Sequence, residues 1–122
     1  LRMLLLLIAD AAHPIFDERV ARAYTLIDSD LGRKWTLEEL GDTCELSPSQ
    51  FSRLFSKQYG EPPIRNLIHR RMKEAKRLLL ETSLSLHEIG AEIGYENQNF
   101  FERQFLKHIG FEPEYLRRNR AL

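Results

Sequence analysis

The sequence predicts an all-α fold: two helix-turn-helix subdomains joined by a long linker helix. Three observations predict it. Helical signals are dense, whereas no stretch alternates apolar and polar residues as a strand would, and valine occurs once. Short Ser- or Thr-headed capping signatures precede the apolar periodic runs. The chain also repeats itself. Leu37, Leu40, Gly41 and Cys44 match Leu86, Ile89, Gly90 and Ile93 at an offset of 49, and Phe51, Arg53, Phe55, Gly60 and Pro63 match Phe101, Arg103, Phe105, Gly110 and Pro113 at an offset of 50. Two copies are too few for a solenoid. Each copy reads as a short helix, a tight turn and a second helix, with one residue inserted in the second turn.

Taken in order, residues 1–16 carry the apolar run Met3 to Ala9 and then Pro14, a helix breaker. The run is far below the ~20 residues of a membrane span. It loosely imitates a signal peptide, but we read it as the end of an amphipathic helix or linker from an upstream domain. Asp17 can cap a helix whose apolar face is Val20, Ala23, Tyr24, Ile27 and Leu31, with Gly32 as the stop. Thr36-Leu-Glu-Glu39 is a capping box for a short helix with Leu37, Leu40 and Cys44 inward. Ser47-Pro48-Ser49-Gln50 opens the next helix, whose inner face is Phe51, Leu54, Phe55 and Tyr59 and which Gly60 ends.

Pro62-Pro63 starts a helix to about Glu81 with an apolar stripe of Ile64, Leu67, Ile68, Met72, Ala75, Leu78 and Leu79. Ser85-Leu-His-Glu88 is a further box, followed by Leu86, Ile89 and Ile93 inward. After Gly94 a helix from about Asn97 places Phe101, Phe105 and Ile109 inside and stops at Gly110. Pro113 opens a last short helix with Tyr115 and Leu116. The expected organisation is therefore an N-terminal segment 1–16, a first subdomain 17–60, a linker helix 61–82 and a second subdomain 83–119.

Net charge is zero, yet it is unevenly spread. Residues 53–77 hold eight basic and two acidic side chains, an excess able to attract phosphate in a neutral chain. The single cysteine, Cys44, sits at an apolar helical position and cannot form an intrachain disulfide. It fits a reducing cytoplasm. His13, His69, His87 and His108 show no metal-ligand spacing, and no phosphate loop, nucleophile elbow or cysteine pair is visible. We expect no enzyme activity, no metal and no cofactor.

The second helix of a helix-turn-helix fits the major groove and reads base edges with its N-terminal residues. Subtracting the buried face leaves Ser49, Gln50, Ser52 and Arg53 as candidate base readers in the first unit, with Ser56 and Lys57 beside them. In the second unit the set is Gln98, Asn99, Glu102 and Arg103, with Lys107. Arginine suits guanine O6/N7, glutamine and asparagine suit adenine, and glutamate suits the cytosine amino group. Phe100 could cover a thymine methyl or pack on its own turn. Thr36, Ser56, Lys57, Arg70, Arg71, Ser85 and Lys107 are expected on the DNA backbone.

The run from Ile93-Gly-Tyr-Glu-Asn-Gln-Asn-Phe-Phe-Glu-Arg-Gln-Phe to Gly110, followed by Pro113, Tyr115 and Arg117, resembles the DNA-binding domain of the AraC/XylS family of bacterial transcription regulators. Arg71-Met72, Ala75 and Leu78-Leu79 resemble that family's linker helix, and the likeness covers about residues 17–119. It implies two recognition helices entering successive major grooves, with the base-reading positions falling on the residues just named. It also implies an activator that meets double-stranded DNA and RNA polymerase, and an upstream sensing and dimerisation domain. Glu45 stands in the first turn where such proteins often have glycine, whereas the second turn has Gly94. The alternative reading is a helical protein-interaction module without specific DNA binding.

Overall fold

The computed structural model describes residues 16–120, so the expectations for 1–15 lie outside the described residues. Among the described residues there are seven helices and no strand: α1 (Glu18–Ser29), α2 (Leu37–Thr43), α3 (Pro48–Tyr59), α4 (Pro63–Glu81), α5 (Leu86–Glu92), α6 (Gln98–Ile109) and α7 (Pro113–Arg118).

Local signals set the helix ends. Asp17 Oδ1 accepts the Arg19 and Val20 amides at 2.8 and 3.4 Å, opening α1. The Thr36 hydroxyl accepts the Glu39 amide at 3.1 Å. Full capping boxes form at Ser47–Gln50 and Ser85–Glu88, each closing two otherwise orphaned amides. Asn97 Oδ1 accepts the Phe100 amide at 2.8 Å and so fixes the start of α6. Gly60 and Gly110 end α3 and α6 in the left-handed region, with φ of 84° and 94°.

The described chain folds into two compact units, and neither is continuous in sequence. One comprises residues 16–25 with 36–63; the other comprises 26–35 with 64–120. Boundaries at 60/61 and 82/83 follow the order of elements. By contacts, the linker helix, the last turn of α1 and the loop after it group with the second helix-turn-helix.

In the first unit Val20, Ala23, Leu40, Cys44, Phe51 and Phe55 are buried. Tyr24 stacks on Tyr59 at 4.4 Å between ring centroids, and Phe55 lies 4.8 Å from Tyr59. Cys44 Sγ lies 3.3 Å from the Arg19 carbonyl oxygen, as a small core group donating weakly. The second unit has a core of Met72, Ala75, Leu78, Leu79, Leu86, Ile89, Ile93, Phe101 and Phe105. Arg117 reaches from α7 to the end of α4, where its guanidinium donates to the carbonyls of Leu78, Leu79, Thr82 and Leu84. A cation there satisfies orphan carbonyls and complements the helix dipole. Ile64, expected inside, is 42% exposed. It lies in the first turn of α4, ahead of the core-facing Leu67.

Candidate nucleic-acid interface

Each unit presents one second helix whose inner edge is clamped by two fully buried phenylalanines one turn apart: Phe51 and Phe55 in α3, Phe101 and Phe105 in α6. That clamp fixes which side faces outward. Ser49, Gln50, Arg53 and Lys57 are exposed on α3, and Ser52 and Ser56 are half-buried. Gln98, Asn99, Arg103 and Lys107 are exposed on α6, and Glu102 is half-buried. The structure thus brings each candidate base-reading set onto one helix face.

Hydrogen bonding narrows what several of these groups can offer. The Ser47 amide donates to Gln50 Oε1 at 3.0 Å. With that bond kept, one lone pair of Gln50 Oε1 is used in the cap, while the second lone pair and both Nε2 protons remain for an outside partner. The Ser56 hydroxyl donates to the Ser52 carbonyl at 2.8 Å, so a phosphate contact from it competes with that bond. Thr36 and Ser85 accept in their caps, which leaves each hydroxyl proton able to donate outward. Gln98 Nε2 donates to Glu102 Oε2 at 3.2 Å, holding the carboxylate against its own helix.

Two expected phosphate ligands are engaged inside the second unit. Arg71 donates from Nε to the Leu31 carbonyl at 2.8 Å and from Nη2 to the Arg33 carbonyl at 2.9 Å. Its guanidinium lies 5.9 Å from the Tyr95 ring centroid. Burial pushes Arg71 down from the ordinary arginine range, opposed by Tyr95, and burial likewise pushes the Tyr95 phenol up. Arg70 pairs with Asp28 and lies near Asn66 Oδ1. These two adjacent arginines of the basic run tie the linker helix to the last turn of α1, through Asp28, and to the loop after it, through the Leu31 and Arg33 carbonyls.

Sequence reasoning missed what surrounds that tie. Gly32 and Gly94 are in close backbone contact: a Cβ at Gly32 would stand 2.6 Å from the Glu92 carbonyl oxygen. Gly32 reads in the sequence as a helix stop, which gives no signal of this contact. Phe100, read from the sequence as covering a thymine methyl or packing on its own turn, lies against Tyr95 of that turn. Phe100 lies 5.7 Å from Tyr95, and the Arg103 guanidinium lies 5.8 Å from the Phe100 ring centroid. His69 and His108 are edge-on at 5.7 Å, and burial, His69 and Lys107 together lower His108. Among the described residues no three His, Cys, Asp or Glu side chains are grouped so as to hold a metal, and no helix is long and apolar enough to cross a membrane.

Two copies of a short helix, a tight turn and an outward-facing polar helix define a double helix-turn-helix domain. The helix-turn-helix domain family model matches residues 40–119. The arabinose operon regulatory protein of Escherichia coli is 31% identical over 111 residues, which cover 90% of this chain and 38% of that protein. The C-terminal domain of AraT, a response regulator from Geobacillus stearothermophilus, superposes with a TM-score of 0.79 at 34% identity, covering 84% of this chain and 85% of that one. The DNA-binding domain of AdpA, a global transcriptional factor solved in complex with a target DNA, gives a TM-score of 0.78 at 24% identity, covering 82% and 90%. The chain belongs to the AraC/XylS family of helix-turn-helix transcription regulators, a family of DNA-binding domains and not of enzymes. It spans well under half the length of the curated relatives it matches.

Proposed function

We propose that the domain binds double-stranded DNA sequence-specifically in the cytoplasm and activates transcription, with α3 and α6 entering successive major grooves. One observation carries this reading: Arg53 and Arg103, at an offset of 50 residues, are both exposed on helices whose opposite sides are pinned by paired buried phenylalanines. An arginine so placed can donate two bonds to guanine O6/N7. Ser49, Gln50 and Ser52 flank the first arginine; Gln98, Asn99 and Glu102 flank the second. Thr36, Lys57, Ser85 and Lys107 supply phosphate contacts, while Arg70 and Arg71 serve the fold. RNA polymerase is the proposed protein partner, and a sensing and dimerisation domain is the one the family resemblance implies.

The test is duplex binding by the wild type and by Arg53→Ala and Arg103→Ala, each over a salt series. Phosphate contacts give a steep fall of affinity with salt. Each variant loses roughly 1–3 kcal/mol of specific binding and relaxes preference at one base position. Consecutive major grooves on one face lie about 10 base pairs apart. Inserting five base pairs between the two determinants therefore abolishes high affinity. Salt-independent binding, or two variants that bind normally, would sink this reading in favour of a protein-interaction module.

A further inference from the structure

The two candidate guanine-reading arginines are built differently. Arg103 lies over the face of Phe100, with the guanidinium carbon 5.8 Å from the ring centroid. Phe100 is 44% exposed, so its ring is accessible at the surface beside Arg103. The same ring lies 5.7 Å from that of Tyr95, tilted by 52°. Tyr95 is half-buried and braced twice: Phe101, fully buried, lies 5.9 Å away, and the Arg71 guanidinium lies 5.9 Å from its ring. Arg71 is itself anchored on the carbonyls of Leu31 and Arg33. A continuous chain of contacts thus runs Arg71, Tyr95, Phe100, Arg103, with two rings between two cations. It leads from the second unit's interior to the outer face of α6.

The first unit has no counterpart. The residue matching Phe100 at the 50-residue offset is Gln50, whose side chain closes the helix cap. Arg53 therefore keeps the rotamer freedom of an ordinary surface arginine, whereas Arg103 rests on an aromatic face. Arginine stacks well because its guanidinium is planar and weakly hydrated. Ordering it before binding lowers the entropy lost when the base contact forms.

We propose that Phe100, carried by Tyr95 and Arg71, is a positioning residue that holds the Arg103 guanidinium ready to read guanine. This rests on the reading of α6 as a base-reading helix. The ring acts through Arg103 and not by covering a thymine methyl.

The test uses the whole chain and a duplex site selected by the protein from random sequence. The position read by Arg103 is the one at which Arg103→Ala loses base preference. Phe100→Leu keeps apolar bulk but lacks the aromatic face. It should lower guanine discrimination at that position roughly two- to fivefold, as expected for an exposed cation–π contact. Phe100→Tyr should restore it, melting should be unchanged, and Phe100→Leu should cost nothing further in an Arg103→Ala background. In the free protein, 15N relaxation at Arg103 Nε should show lower order in Phe100→Leu. The proposal is overturned if discrimination and Nε order are both unmoved. It is also overturned if the loss persists in the Arg103→Ala background and follows thymine-to-uracil exchange, which marks direct methyl contact. If Nε order falls but Arg103→Ala changes no base preference, the stack exists and the base-reading assignment of α6 is what fails.

Discussion

Gly94 packs so closely on Gly32 that a Cβ at position 94 would stand 2.9 Å from the Gly32 carbonyl oxygen and 3.0 Å from the Arg71 guanidinium. Its φ is 101°. Glycine is needed there twice over, for backbone conformation and for space. The matching turn of the first unit holds Glu45 at φ 58°, the non-glycine residue with positive φ among those described. Gly94→Ala should therefore destabilise by about 2–3 kcal/mol, because a backbone oxygen and a bonded arginine cannot yield cheaply. Glu45→Gly should stabilise by about 0.5–1 kcal/mol, the left-handed penalty less the entropy of an added glycine. Denaturant melts of both variants decide it. Opposite signs are expected, and a neutral Gly94→Ala would mean the two backbones are not in contact.

Arg71 gives a test of structural against electrostatic roles. Its two carbonyl bonds are charge-assisted, and its neighbours are the Tyr95 ring and the Gly94 backbone. Arg71→Ala should cost about 1–2 kcal/mol of stability, since a part-buried and an exposed carbonyl lose a charged donor. The salt slope of DNA binding should stay at the wild-type value. Lys57→Ala should do the reverse, leaving the melt unchanged and reducing the slope by about one. A shallower slope in a folded Arg71→Ala protein would return Arg71 to the DNA backbone.

What the sequence makes legible here follows from range. The boxes at Ser47 and Ser85, the left-handed glycines at 60 and 110 and the phenylalanine pairs all act within four residues, so spacing alone reveals them. Glu45 could be flagged as a departure for the same reason. The fate of Arg70 and Arg71 could not be read this way: their partners, Asp28, Leu31 and Arg33, are about forty residues away and are partly backbone carbonyls. A count of charges cannot see a carbonyl. The joining of residues 26–35 to the linker helix and second helix-turn-helix is hidden likewise, because order along the chain suggests that a loop belongs with the helix it precedes. At the candidate interface the outward residues were legible from helical phase. The bonds made by Gln50 and Ser56, and the ring beside Arg103, depend on side-chain rotamers that helical phase does not fix.

Phe55 and Phe105 occupy matching places in different cores, and both are fully buried. Truncating either to alanine should cost about 3–5 kcal/mol. The units have separate cores, so the damage should be local. Amide exchange should accelerate most in α2 and α3 for Phe55→Ala, and in α5 and α6 for Phe105→Ala. Uniform acceleration across all helices in both variants would show that the chain unfolds as one cooperative body. Unchanged melting would show that the phenylalanines are not the anchors.

Asp17 ties the start of α1 by charge as well as by capping. Its carboxylate meets Arg19 Nη2 at 2.8 Å and Nε at 3.2 Å, and accepts the Arg19 and Val20 amides. The Arg19 side chain, then those amides, hold the Asp17 carboxyl down at about 2 against the opposing effect of burial. The folded value lies below the ordinary aspartate value of about 3.9, so the charged form stabilises the fold. That contribution is complete above about pH 4 and is lost as pH falls through about 2. Asp17→Asn keeps a capping oxygen and removes only the charge. It should destabilise at pH 7 by under about 1 kcal/mol, because Arg19 is largely exposed and water screens the pair. The wild-type advantage should shrink below pH 4, approach zero near pH 2, and fall at pH 7 when salt is raised to 1 M. Urea melts of the two proteins at matched pH decide it. A difference that stays constant from pH 7 to pH 2 would assign the effect to cap geometry and remove the Arg19 ion pair from the account of this helix.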